Sequence, residues 1–219
     1  TYGFWRAFGY FPAWEKYPAG GRTREFTHQS YIKNKNPIIK RLIRGACAAW
    51  RREQMNILFI TSEAEPFCKT GGLADVAGSL PVALAASGQR TAVLLPLYDT
   101  IAQSWRDQMT RVWEGYTDLA WRHEPCALWK LERRGVTWYF VQSEHYFRRG
   151  RLYGEYDDGE RFAFFCRAAA QLTDVLPEKP DVVHCNDWQT ALVPVYLREL
   201  GRGAASVFTI HNIVSRSRR

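Results

Sequence analysis

The sequence contains no run of about 18 consecutive apolar residues, so nothing in it reads as a helix that crosses a bilayer. The N-terminus carries no short apolar core of the secretory kind, and the expected compartment is cytoplasmic. Cysteine is sparse: Cys47, Cys68, Cys126, Cys166 and Cys185 are an odd five, widely spaced, with no Cys-x-x-Cys pair. That spacing excludes a dense disulfide framework, supplies no zinc-ligand pattern, and points to a reducing environment with no metal. Two named nucleotide loops are missing as well. No Gly-Lys-Ser/Thr order occurs where a Walker loop would need it, and "GGLADVAG" has the wrong spacing for G-x-G-x-x-G.

The formal charge of +8 first suggests a nucleic-acid or membrane partner. Its distribution argues against both. Residues 1–54 hold 11 of the 30 Lys and Arg but only 3 of the 22 Asp and Glu, which leaves 19 of each for the remaining chain. The body is therefore neutral. The leader mixes eleven aromatics with basic residues, shows no sustained period, and starts with Thr; the first Met is Met55. Two readings of residues 1–54 stand: a basic arm for nucleic acid or a glucan surface, or a non-native or disordered extension outside the folded body.

From Met55 onward the pattern is regular. "NILFIT" is a short apolar run of the buried parallel-strand type, "GLADVAGSLPVALAASG" has helical spacing through Leu73, Val76, Leu80 and Leu84, and "RTAVLLP" is a second strand. Gly88 is placed to stop that helix. The segment from Leu97 to Gly135 shows no clear pattern. Beyond it, "VTWYFVQ" reads as a strand and "ERFAFFCRAAAQLTDVL" as an amphipathic helix. "PDVVHCND" reads as a strand, "WQTALVPVYLREL" as a helix and "ASVFTIHN" as a last strand. This order predicts an α/β fold, a Rossmann-like doubly wound, mostly parallel sheet with helices on both faces.

In such sheets ligands bind beyond the carboxyl ends of the strands. Here those ends carry the polar chemistry: Lys69-Thr70-Gly71-Gly72 after the first strand, His184 to Asp187 after a later one, and His211-Asn212 after the last. Gly71 and Gly72 let the backbone turn tightly and offer its amides, the following helix aims its positive end at the same place, and Lys69 adds a full charge. A phosphate-bearing ligand fits that junction, although "KTGG" alone is also an ordinary strand-to-helix turn. A lone histidine at a strand end is more often a structural hydrogen-bonding group than a catalytic one. Asp157 and Asp158, just ahead of a helix, are natural N-caps.

Taken in order, "MNILFITSEAEPFCKTGGLADVAGSLPVALAASG", "HYFRRGRLYGEYDDGERFAFFCRAAAQL", "PDVVHCNDWQTALVPVYLREL" and "SVFTIHNI" resemble the bacterial glycogen synthase and plant starch synthase family. The likeness runs from Met55 to about Ile213, residues 55–213 being the expected N-terminal Rossmann-like catalytic domain. It implies half of a two-domain GT-B glycosyltransferase that moves glucose from ADP-glucose to the non-reducing end of an α-1,4-glucan. The configuration would be retained and no metal or other cofactor used, with neither nucleic acid nor membrane as partner and the plastid as the site in a plant. By the same likeness Lys69, Gly71 and Gly72 would face the donor diphosphate and sugar. Asp157 would lie near the glucose, although Asp158 replaces the family's usual Asn. His184 would contact the transferred glucose, Asp187 would order its turn, and His211 and Asn212 would belong to the cleft wall.

The family continues past this point through a Tyr-Gln-Gly segment into a second domain, whereas this chain reads "VSRSRR" over residues 214–219, a truncated or aberrant tail. Little or no transfer is therefore expected of the polypeptide alone. A nucleotide-dependent oxidoreductase is disfavoured by the failed dinucleotide pattern, and a carbohydrate- or nucleic-acid-binding module built on the leader remains the alternative.

Overall fold

The computed structural model describes residues 54–211. All of the leader except Gln54, the tail and Asn212 lie outside the described residues, and so do the readings made of them.

Strand β1 (Asn56–Ile60) leads into helix α1 (Gly72–Ala86) and strand β2 (Arg90–Pro96). A short helix α2 (Gln103–Arg106) precedes β3 (Thr110–Leu119), β4 (Arg122–Arg133) and β5 (Val136–Gln142). Helices α3 (Glu144–Phe147) and α4 (Asp158–Leu172) follow, then β6 (Val182–Asn186), a 3-10 turn (Trp188–Thr190), α5 (Val193–Glu199) and β7 (Ala205–Thr209). The strands form one sheet in the order β3-β4-β5-β2-β1-β6-β7. β5, β2, β1, β6 and β7 pair in parallel, and β4 runs antiparallel between β3 and β5.

Ile57, Leu58, Phe59 and Ile60 are all buried although successive side chains point to opposite faces, so β1 is covered on both sides. Helix α1 departs from the expected stripe. Leu73 is buried, but its companions are Ala74, Ala77 and Pro81, with Val76, Leu80 and Leu84 only partly covered. Small residues let the helix lie close to the chain beneath it. At Gly78 a Cβ would stand 2.7 Å from the Glu65 carbonyl oxygen, so no side chain fits there without moving backbone.

The patternless segment is an antiparallel hairpin. Trp113, Gly115, Thr117 and Leu119 are the more buried set and Val112, Glu114, Tyr116 and Asp118 the exposed one, a period of two that the charges obscure. Its two-residue turn, Ala120-Trp121, has Ala120 at φ 52° and lacks the Gly or Asn that advertises a hairpin. The predicted helix over "WQTALVPVYLREL" is interrupted, because Pro194 starts α5 within its first turn and cannot continue a ladder from the 3-10 turn before it.

The connection from β1 goes to β2 on one side, while β6 lies against β1 on the other. The order reverses between β1 and β6, which puts the ligand-binding crevice of an open sheet beyond their carboxyl ends.

Candidate functional site

Past β1 the chain closes on a buried carboxylate. Glu63 is only 3% exposed, and its Oε2 accepts hydrogen bonds from the Thr70 amide at 2.5 Å and the Thr70 hydroxyl at 2.7 Å. This holds the turn in which Gly71 becomes the N-cap of α1 without any capping side chain. A Cβ at Gly72 would meet nothing within 4 Å, and one at Gly71 only Glu63 Oε1 at 3.9 Å. The two glycines therefore leave backbone amides uncovered at the positive end of a helix.

Lys69 is not a free cation. Its ammonium donates to Asp75 Oδ1 at 2.6 Å and Glu65 Oε1 at 2.9 Å, and Asp75 first and Glu65 second raise its pKa above the usual range. With Glu63 beside it, the turn carries three carboxylates for one lysine. Any anion drawn to the amides must compete with them.

The second group gathers between β6 and β7. His184 Nε2 lies 2.8 Å from the Thr209 hydroxyl, and its ring stands edge-on to Phe59 at 4.8 Å between centroids. Burial, and secondarily the neighbouring His211, lower its pKa, which favours a neutral imidazole near pH 7. Asn186 ties three segments together. Its Nδ2 donates to the carbonyls of Ile60 and His184, each at 3.1 Å, so its Oδ1 is left to accept from His211 Nε2 at 2.9 Å. The adjacent Asp187 is buried, accepts the His211 amide on Oδ1 at 3.3 Å, and starts the 3-10 turn through its carbonyl. Its backbone sits at φ 61°, ψ 178°, a region that costs a non-glycine residue on the order of 1–3 kcal/mol and that recurs at ligand sites.

Asp157 stands at the N-cap position of α4 but makes no capping bond; it pairs instead with Arg149 Nη2 at 3.1 Å. Asp158 accepts the Gly154 amide and pairs with the fully buried Arg161. Neither aspartate caps the helix as anticipated, because an arginine claims each carboxylate. An aromatic chain from Tyr153 to Phe162 to Trp188 links the β1 side to the 3-10 turn, and the Tyr153 hydroxyl lies 2.7 Å from that of Ser62.

The predicted residues thus fall into three hydrogen-bonded groups: Lys69 to Gly72, His184 with Asp187 and His211, and Asp157 with Arg149. Asn186 was read only as part of a polar strand end, and Glu63, Thr209 and Arg149 were not anticipated. A carboxylate two residues after an apolar strand was the available signal for Glu63; Thr209 and Arg149 carried none.

No group of three His, Cys, Asp or Glu residues among those described could hold a metal ion. The four described cysteines are free, and burial pushes the thiols of Cys68, Cys126, Cys166 and Cys185 up to about 12. A recess at the opposite edge, by the first residues of β1 and β2, is lined by two ion pairs, Arg90 with Glu178 and Lys130 with Glu132. No helix among the described residues is long and apolar enough to cross a membrane.

Parallel-sheet architecture, an open glycine turn and a histidine-lined strand end together define a Rossmann-like ligand-binding domain. Residues 56–219 match the family model of the starch synthase catalytic domain. The glycogen synthase of Geobacillus thermodenitrificans is 47% identical over 165 residues, 73% of this chain and 34% of that protein. That of Bacillus subtilis is 46% identical over 165 residues. Among solved structures, the catalytic domain of starch synthase IV from Arabidopsis thaliana, bound to ADP and acarbose, superposes with a TM-score of 0.66 and 32% identity. The match covers 73% of this chain and 34% of that one. The chain belongs to the glycogen and starch synthase family, and it spans about a third of the length of the relatives it matches.

Proposed function

We propose that this chain supplies one wall of the cleft in which a retaining glucosyltransferase moves glucose from ADP-glucose to the non-reducing end of an α-1,4-glucan. It would work in the cytoplasm, or in the plastid of a plant. The observation that carries this reading is the gathering of an uncovered helix N-terminus and a neutral histidine at the carboxyl ends of β1, β6 and β7. The family membership and the ADP bound to the starch synthase neighbour supply the donor's chemistry.

Breaking the bond between glucose and diphosphate leaves positive character on the sugar and returns charge to the phosphate. Donors aimed at the phosphate must therefore strengthen as the bond breaks. In this wall they are the Gly71 and Gly72 amides and Lys69. His184, neutral and oriented by Thr209, can accept or donate one hydrogen bond to a sugar hydroxyl without leaving a buried charge. Asp157 is fixed by Arg149 at the start of α4, and Asp187 and His211 brace the turn that follows His184. Asn212 would continue that wall. Because Lys69 is already paired with two carboxylates, it must exchange them for the phosphate or share the leaving charge with further cations.

The test joins residues 54–211 to the remaining two thirds of the Geobacillus thermodenitrificans enzyme and measures glucose incorporation into glycogen. The hybrid should transfer from ADP-glucose, lose at least about a hundredfold on Lys69→Ala or His184→Ala, and greatly exceed the 219-residue chain alone. A folded hybrid that is inactive with ADP-glucose, or indifferent to both substitutions, overturns the reading.

A further inference from the structure

Glu63 is the one strongly buried acid near the glycine turn, and its bonding is lopsided. Oε2 receives two hydrogen bonds from Thr70, while Oε1 receives none from any described residue and faces the open side of Gly71, 3.9 Å from where a Cβ would be. No Lys, Arg or His among the described residues pairs with this carboxylate. That oxygen keeps its acceptor capacity for a donor arriving from the open side of the turn, whether water or a ligand hydroxyl.

We propose that Glu63 is a specificity-determining residue that accepts a hydrogen bond from a neutral hydroxyl of the bound sugar on Oε1, a role that rests on the donor reading above. The chemistry around it selects that class of ligand. A phosphate oxygen would meet a like charge at Glu63, in a turn where Glu65 and Asp75 already hold Lys69. A hydroxyl brings a proton and no charge, and the hydroxyls of Thr70, Ser62 and Tyr153 already line the neighbouring chain. The same carboxylate fixes the turn with one oxygen and reads the sugar with the other. Substituting Gly71 would bring a side chain toward the oxygen that does the reading.

The experiment titrates the 219-residue chain with ADP, ADP-glucose and methyl α-glucoside, followed by amide resonances of Thr70, Gly71 and Gly72. Wild-type protein should bind ADP-glucose more tightly than ADP. Glu63→Gln keeps a carbonyl oxygen for Thr70 but removes the charge. It should weaken ADP-glucose and methyl α-glucoside about tenfold, leave ADP within about twofold, and keep the Thr70 amide protected from exchange. Glu63→Ala should lose that protection as well. Equal losses for ADP and ADP-glucose in Glu63→Gln, or no loss for either, overturn the role of Glu63 while the donor reading stands. A wild-type hybrid with the remainder of the longer relative, titrated in the same way, that binds neither ADP-glucose nor the glucoside overturns both.

Discussion

Strands β1 and β7 flank β6 on its two sides, run in the same direction, and are both five residues long and rich in apolar side chains. Their surroundings differ completely. Phe59 of β1 has no exposed surface, whereas Val207 and Phe208 of β7 remain 46% and 43% exposed although they point to opposite faces. Nearby Leu192, Val195 and Ile210 are exposed too. A parallel strand that is apolar on both faces is suited to burial on both, and an uncovered one presents a free edge and two sticky surfaces. β7 has the sequence of an interior strand in an edge position, in a chain that spans a third of its relatives' length. Apolar sequence makes the strand; neighbours decide whether it stabilises anything.

The sharpest way to break this contrast is a matched truncation. Phe59→Ala should cost about 3–5 kcal/mol in urea unfolding, since the ring is enclosed by packed neighbours and its removal leaves a cavity. Phe208→Ala in the same protein should cost less than about 1 kcal/mol, because nearly half of that ring already faces water. Comparable losses would mean that β7 is covered in solution. The contrast narrows in the hybrid with the longer relative, where the cost of Phe208→Ala should rise toward that of Phe59→Ala if added chain packs on β7.

A second test stays at the β1 end. Gly78→Ala forces a methyl group against the Glu65 backbone, and what it meets is a carbonyl that cannot swing aside. The expected loss is about 1–3 kcal/mol, with the amide resonances of residues 65–72 displaced and those of β7 unmoved. Gly72→Ala, where space is open, should cost well under 1 kcal/mol in stability. Similar losses at Gly78 and Gly72 would show that the close packing of α1 is not what holds the turn.

The difference between these glycines marks how far the sequence could be read. Periodicity and strand-end chemistry were enough for β1, α1, β2, β5, α4, β6 and β7, because each couples a local apolar run to a recognisable stop such as Gly88, at φ 94°. The β3-β4 hairpin escaped because Ala120 occupies a turn position usually left to glycine, and Glu114 and Asp118 alternate with apolar residues on a half-wet strand. At the site, Lys69, His184, Asp187 and His211 were legible from their place at strand ends. Their partners were not: the reach of Asn186 to Ile60 depends on how segments 126 residues apart in sequence are brought into register, and that of Thr70 to Glu63 on the shape of an irregular turn that no periodicity marks.

His184 lies between the two unlike strands, and its titration should report the difference. On one flank the Phe59 ring dries it; on the other Thr209, on the exposed strand, gives it a hydroxyl. Burial is the larger cause of its lowered pKa, so the folded protein resists protonating this ring while the unfolded chain takes a proton near pH 6.5. As the pH falls through about 6.5 the unfolded state binds more protons than the folded one, and stability declines until the lower folded pKa is reached. His184→Gln cannot take a proton and should remove that part of the decline. The melting temperature of the wild type minus that of His184→Gln should therefore be smaller at pH 5.5 than at pH 7.5. Thr209→Val, which deletes the hydrogen bond and keeps the shape, should leave the drop in place, since the dry flank is provided by β1. A wild-type to His184→Gln difference that does not change with pH would mean that the ring is as wet as β7 itself.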